Sequence, residues 1–361
     1  MEYITEIAFT VNDKNWIDNL KSTISSTTYQ LPAWLEIYKK SFNSIPIFIT
    51  VKNTNSEIVG QLACIIHEEY NWRDTNSISK FIGMKLKLNS ILSWSYGPII
   101  HDQKNQESII HAILKSIEEI VNEHSITMVR GSSTPNDKLR IEIFEKFGYS
   151  LQKWSTYILD LKTKSEILLS NINKKIRYDI KQAEKRGLVF EIIKTKSTFD
   201  EFAYFAVNTK IQQGETRNWN KYFFDNLWKI AYKKGFYKVF LAKKNNEILG
   251  AIDLLLFNEN AVQVGVVNSP KREYRAGPFL TWNTIKWAID ENLKTFDFGG
   301  ANPAPKTEKE RQIDFYKSKW NNKKKEHFFF TKILNRNKIR ATSVLKRTSR
   351  ITYKIGKQFS K

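Results

Sequence analysis

The segment FYKVFLAKKNNEILGAIDLLLF, residues 236–257, joins two strand-like apolar runs through a polar turn. The same construction stands earlier as IPIFITVKNTNSEIVGQLACII, residues 45–66. EIVG at 57–60 returns as EILG at 247–250, an offset of 190 residues. A second echo follows each hairpin: SYGPII at 95–100 and RAGPFL at 275–280, with 180 residues between Gly97 and Gly277. Each Gly-Pro precedes a helical stretch and a short strand, HAILKSIEEIVNEHS then ITMVRGSS, and TWNTIKWAIDENL then KTFDFGG. Chance can supply one such echo; two in the same order point to a duplicated α+β domain. The pattern assigns a first domain to residues 1–162, a second to 163–330 and a basic tail to 331–361.

The bulk numbers agree with two domains. The chain has 361 residues, 41% of them apolar and 13% aromatic, enough for large cores. It contains no run of apolar residues long enough to span a bilayer. The start, MEYITEIAFTVNDK, lacks a basic region followed by an apolar block, so no signal peptide is expected. Cys64, in the apolar run QLACII, is the single cysteine and reads as a small core residue of a cytosolic protein. Charge is the strongest signal: 58 Lys and Arg against 37 Asp and Glu give a net +21. That balance fits polyanionic partners, or simply a lysine-rich soluble surface. Residues 331–361 hold ten cations and no acid.

Three places carry candidate chemistry. In SNINKKIRYDIKQAEKRG, Ile172, Ile176, Ile180 and Ala183 share one helix face, and Lys174, Lys175, Arg177, Lys181, Lys185 and Arg186 take the rest. The helix is either a solvated amphipathic one or a cationic wall for a phosphate-bearing substrate. In KTFDFGG, Asp297 alternates with Phe296 and Phe298 and so points away from them. A buried carboxylate is costly unless paired, so Asp297 either anchors a neighbouring loop or faces a polar cleft. Gly299 and Gly300 beside it admit a close approach of backbone or ligand. Asp253 is the lone acid of the apolar strand GAIDLLLF, either a desolvated base or the partner of a buried cation. His67, His101, His111, His124 and His327 show neither metal spacing nor a triad partner, and no zinc, haem or nucleotide-hydrolysis signature occurs.

Four stretches in order resemble the Fem-type peptidyltransferases and their acyltransferase relatives, which are built from two GNAT-type domains. They are YQLPAWLEIYKKSF, NINKKIRYDIKQAEKRG, RAGPFLTWNTIKWAI, and FDFGG followed by DFYKSKW. The resemblance runs from about residue 28 to about residue 330. Lys319 and Asn321 stand where the family often has glycines, and VRGSS lacks an acid that some peptidoglycan-acting members carry. The resemblance implies an α+β fold of two tandem GNAT-like domains, mixed sheets flanked by helices. It also implies transfer of an acyl or aminoacyl group from acyl-CoA or aminoacyl-tRNA to an amine. The acceptor would be a cell-envelope glycan or peptidoglycan precursor, lipid- or nucleotide-linked, and no metal or tightly bound cofactor is needed. In this reading Arg275, Ala276 and Gly277 open a helix onto the donor's phosphates, with Gly299 and Gly300 nearby. Asp253 takes the ammonium proton, and Lys317 and Tyr316 steady the donor or the oxyanion. Asp297 organises the motif, and Arg177 and Arg217 face substrate. The tail is an amphipathic helix resting on an anionic inner leaflet, a final helix packed on the first domain, or a disordered basic segment. A contrasting reading is a non-catalytic GNAT pair that holds RNA or anionic lipid through its basic surface.

Overall fold

In the computed structural model both quoted segments form antiparallel hairpins. Ile45–Lys52 pairs with Ile58–His67, and Tyr237–Lys244 pairs with Glu247–Phe257. The structure describes residues 3–23, 26–72, 75–135, 141–212, 221–320 and 322–358, with side chains as far as 349. The chain forms two units: Met1–Gln152 with Thr216–Asn226 and Phe328–Lys361, and Lys153–Glu215 with Leu227–His327.

Each unit repeats one strand order. In the first, Ile4–Ala8, Ile45–Lys52, Ile58–His67 and Ile91–Ser93 are successively antiparallel. Met128–Ser132 then pairs parallel to Ile91–Ser93, and residues 329–333 of Lys323–Ile333 close the sheet antiparallel to it. In the second unit the same senses run through Val189–Ile192, Tyr237–Lys244, Glu247–Phe257 and Asn260–Asn268. Thr295–Ala301 pairs parallel to Asn260–Asn268, and residues 155–160 of Ser150–Asp160 close this sheet antiparallel to it. The duplication therefore lies in topology as well as in sequence.

The repeated glycine has a packing reason in each copy. A Cβ on Gly60 would stand 2.5 Å from Ile109, on the helix Gln106–Glu123. A Cβ on Gly250 would stand 3.1 Å from Asn268 Oδ1 on the neighbouring strand, and in ordinary contact with Leu280 and Ala276 of the helix Ala276–Asp290. At Gly60 the bare position seats the helix close to the sheet, and at Gly250 it leaves room for the Asn268 side chain. Ile109, Ile113, Leu114, Ile117 and Ile120 then bury one face of the first helix. Phe279, Trp282, Ile285 and Ala288 do so in the second.

The basic helix departs from the expected single element. It starts after Ile172 and runs Lys174–Lys185, behind a separate helix Ser165–Asn171, because the Asn173 side chain caps it by accepting from the Lys175 N–H at 2.9 Å. Ile172, between them, stays buried with Ile176, Ile180 and Ala183. The end of the chain forms a helix, Arg336–Gln358, within the first unit. The Thr342 hydroxyl donates to the Leu88 carbonyl at 2.8 Å, and the Asn76 N–H donates to Ser349 Oγ at 2.6 Å. Among the described residues no helix is long and apolar enough to cross a membrane.

Candidate active site

The second unit opens where its parallel strands part. Asn260–Asn268 and Thr295–Ala301 pair only through Asn260–Val262 and Thr295–Asp297. Beyond Asp297 the second strand turns at Gly299, whose φ of +75° lies in the left-handed region. The resulting cleft holds about 660 Å3. Gln263, Val266 and Asn268 line it from one strand and Phe298 from the other; Tyr316 and Lys317 come from the helix Glu308–Ser318. In the first unit the corresponding place is filled. The Trp94 ring lies where a Cβ on Gly131 would stand 1.9 Å from Cε2, and its Nε1–H donates to the Gly97 carbonyl at 3.0 Å.

Arg275, Ala276 and Gly277 all line the cleft. Arg275 has a left-handed backbone, with φ +57°, and no side chain caps the helix that follows. Pro278 has no N–H, so the free backbone donors of the first turn belong to its neighbours. An uncapped helix start facing a cleft is a site for a negatively charged group. Asp179 holds Arg275 in place: its Oδ1 lies 3.7 Å from Arg275 Nε and 2.9 Å from Lys175 Nζ. Asp179 is buried, lines the cleft, and is absent from the expected set. Its signal was present, because residues 176, 179, 180 and 183 share the face that packs inward.

Asp297 anchors the turn. Its Oδ1 accepts from the Thr156 hydroxyl and, at 2.8 Å, from the Gly299 N–H. Burial pushes its pKa up to about 6, while those two bonds and Lys317 act against the rise. Lys317 Nζ donates to the Gly299 and Gly300 carbonyls, 2.9 Å each, and burial lowers its pKa to about 8. Tyr316 lies 3.2 Å from the Thr281 hydroxyl, and burial pushes its pKa up to about 12. Gly299 and Gly300 face protein: a Cβ would stand 2.8 Å from the Gln263 carbonyl at the first and 2.5 Å from Trp154 Nε1 at the second. Neither lines the cleft. Gln263 Oε1 is buried there with no hydrogen-bond partner, ready to accept from a bound ligand.

Asp253 sits on the strand before, outside the cleft lining. The Tyr237 hydroxyl donates to its Oδ2 at 3.0 Å, and burial pushes its pKa up to about 6. Lys210, on the helix Lys196–Gln212, is the cation that opposes this rise. The same helix sends Thr209 and Gln212 into the cleft. Arg177 donates to the Ser170 carbonyl and does not line the cleft. Arg217 lies outside the described residues.

The first unit has a smaller pocket, of about 280 Å3, walled by Tyr29, Trp34, Tyr38 and Tyr70. His67, on its floor, lies 2.8 Å from Asn71 Oδ1 and 2.7 Å from Ser93 Oγ, partners that the sequence reading did not find. The Asn71 amide donates to the His67 and Asn89 carbonyls, so its Oδ1 faces the ring as acceptor. Burial lowers the pKa of His67 to about 4, which keeps the ring neutral. Among the described residues no group of three or more His, Cys, Asp or Glu side chains is placed to hold a metal.

Residues 170–318 match the family model of the acetyltransferase (GNAT) domain. No curated protein matches the chain by sequence. Among solved structures, FemX is similar over 93% of this chain and 98% of its own, with TM-score 0.69 and 16% identity. A tandem GNAT protein from the clavulanic acid biosynthesis pathway is similar over 91% and 98%, with TM-score 0.57 and 10% identity. The C-terminal domain, from Agrobacterium fabrum, of a protein described as a lysylphosphatidylglycerol synthetase is similar over 88% and 90%, with TM-score 0.53 and 10% identity. The chain has the tandem GNAT fold that FemX and the clavulanic acid pathway protein share, and its match to an acetyltransferase (GNAT) domain covers residues 170–318.

Proposed function

We propose that the protein moves an acyl or aminoacyl group from acyl-CoA or aminoacyl-tRNA to an amine on a cell-envelope glycan or peptidoglycan precursor. One observation carries the reading: an uncapped helix start and a parted strand pair meet in one cleft of the second unit. The backbone at Ala276 and Gly277, with Arg275, would hold the donor's phosphates. Gln263 Oε1 would accept an N–H of the donor, a group that the pantetheine arm of CoA supplies. Asp253 would take the proton of the acceptor ammonium, directly or through water, and free the amine to attack the acyl carbonyl. As the tetrahedral oxyanion forms, a Lys317 N–H or the Tyr316 hydroxyl would stabilise it, and collapse expels the thiol or ribose hydroxyl. Asp297 organises this wall by holding the turn whose carbonyls grip Lys317. Arg177 and Arg217 would meet substrate beyond the cleft.

The first unit's pocket supports a glycan acceptor, since aromatic walls with a few fixed polar groups suit a sugar ring. The enzyme would work in the cytoplasm, against the inner face of the plasma membrane through residues 331–361. The test is to incubate the protein with a panel of acyl-CoAs, charged tRNAs and envelope precursors, and to weigh the precursors. One donor should add its acyl mass to an amine-bearing precursor. If no donor is consumed, and every polyanion binds with the same steep salt dependence, the protein is an electrostatic binder instead.

A further inference from the structure

The helix Ser77–Lys85 is built inside out. Its inward face carries the small residues Ser79 and Gly83, and Gly83 lies so close to Trp72 that a Cβ would stand 2.1 Å from the ring. Its large apolar residues face solvent: Ile78 is 73% exposed, Phe81 66%, Ile82 37%, and Leu86, just past the helix, 55%. These positions recur at three, four and eight residues and so share one side. A soluble helix ordinarily reverses that arrangement, because exposed apolar area is stabilising only when a partner covers it. The surrounding charge says which partner fits. Residues 75–100 contain no acid, and Lys80, Lys85 and Lys87 interrupt or flank the apolar side. Glu69 neutralises Lys80 at 2.8 Å; Lys85 and Lys87 have no ion pair among the described residues.

The helix Arg336–Gln358 lies against this element in the same unit. Lys346 sits 5.6 Å over the Trp72 ring, while Thr342 and Ser349 make the bonds to Leu88 and Asn76 given above. With Thr342 and Ser349 buried, the outward side presents Arg336, Arg340 and Arg347, which fall within about 40° of one another at 100° per residue. None of the three has an ion pair among the described residues.

We infer that Ile78, Phe81, Ile82 and Leu86 form a hydrophobic wedge that enters an anionic lipid leaflet, with Arg336, Arg340 and Arg347 meeting its headgroups. The inference rests on the reading of residues 331–361 as membrane-facing and adds the element that does the inserting. Surface-near cations draw the protein toward an anionic surface, and buried apolar side chains supply the remaining attraction. RNA would use the arginines but gains nothing from Ile78, Ile82 and Leu86, and a second copy of this chain meets a net charge of +21 on each side.

Flotation with vesicles decides it, using the full chain, Ile78→Glu with Phe81→Glu, and Arg336→Gln with Arg340→Gln and Arg347→Gln. Melting temperature and transfer to a soluble acceptor serve as controls for folding. The full chain should float with phosphatidylcholine vesicles containing phosphatidylglycerol and not with phosphatidylcholine alone. Each variant should lose about tenfold or more of that partitioning while its melting temperature and soluble transfer hold. If the wedge variant floats like the full chain while the arginine variant does not, the wedge is overturned and the tail reading stands. If the full chain does not float, both fail. Binding of a single-stranded RNA by the full chain and the wedge variant alike, without flotation, would assign the surface to nucleic acid and overturn the inference.

Discussion

The carboxylate of Asp253 fills the space that a side chain at Gly265 would need: a Cβ there would stand 2.0 Å from Asp253 Oδ1. The two residues face each other across the pair Glu247–Phe257 and Asn260–Asn268, next to a shift of register. Gly265→Ala should therefore push the carboxylate aside without touching its charge. If Asp253 is the base, this variant and Asp253→Asn should both lower turnover by about a hundredfold and leave donor affinity nearly unchanged. Steady-state kinetics beside a donor titration would show it. Wild-type turnover in Gly265→Ala would remove Asp253 from the mechanism.

Turnover should depend on pH at both ends. The pKa of Asp253 is raised to about 6, so its proton-accepting form, and activity with it, gains as pH rises through that value. The pKa of Lys317 is lowered to about 8, so its cation, and activity with it, fades as pH climbs past there. The expected profile is a bell with these limbs, and Asp253→Asn should flatten the acid one. A profile flat from pH 5 to pH 9 would contradict both roles.

Lys317 and Lys319 allow a charge-matched comparison. Lys317 bridges two backbone carbonyls of the motif, whereas Lys319 rests 3.7 Å over the exposed Phe315 ring. Lys317→Ala leaves those carbonyls without their donor and should destabilise by about 1–3 kcal/mol, with a larger loss of activity. Lys319→Ala should change either quantity little. Thermal melts and turnover of the two variants, side by side, check this; equal effects would reduce Lys317 to bulk charge.

Asp179→Ala should act on donor binding alone. Losing the carboxylate frees Arg275 at the helix start, so donor KM should rise by about tenfold while kcat holds. A fall in kcat with unchanged KM would move Asp179 from positioning to chemistry.

How far the sequence was legible follows from the range of each contact. The two hairpins and the helix Ala276–Asp290 are local patterns, and they form where read; of the Gly-Pro echoes, Gly277-Pro278 lies in that helix, whereas Gly97-Pro98 runs into the strand Ile99–Ile100 ahead of the helix Gln106–Glu123. The closing strands are different. Ser150–Asp160 and Lys323–Ile333 find partners more than a hundred residues away, and a run such as HFFFTKI shows no alternation to mark its inner face. At the site, Asp297 beside Gly299 is a two-residue relationship and could be anticipated as an anchor. Asp179 was hidden by the cations around it, although its position on the apolar face was readable. His67 and Asn71 are one helical turn apart in sequence, but Ser93 joins them only through the pairing of Ile58–His67 with Ile91–Ser93. Gly299 and Gly300 read as room for a close approach of backbone or ligand, and the groups that come closest are the Gln263 carbonyl and the Trp154 ring.

The most direct test of the central claim, that the second unit's cleft holds the donor, is backbone hydrogen exchange with each candidate donor added in turn. The expected result is slower exchange over residues 275–281 and 309–317 with either acyl-CoA or aminoacyl-tRNA, saturating with donor concentration. Unchanged exchange there with every donor, and slowing confined to residues 331–349, would contradict it and leave a basic surface that merely binds polyanions.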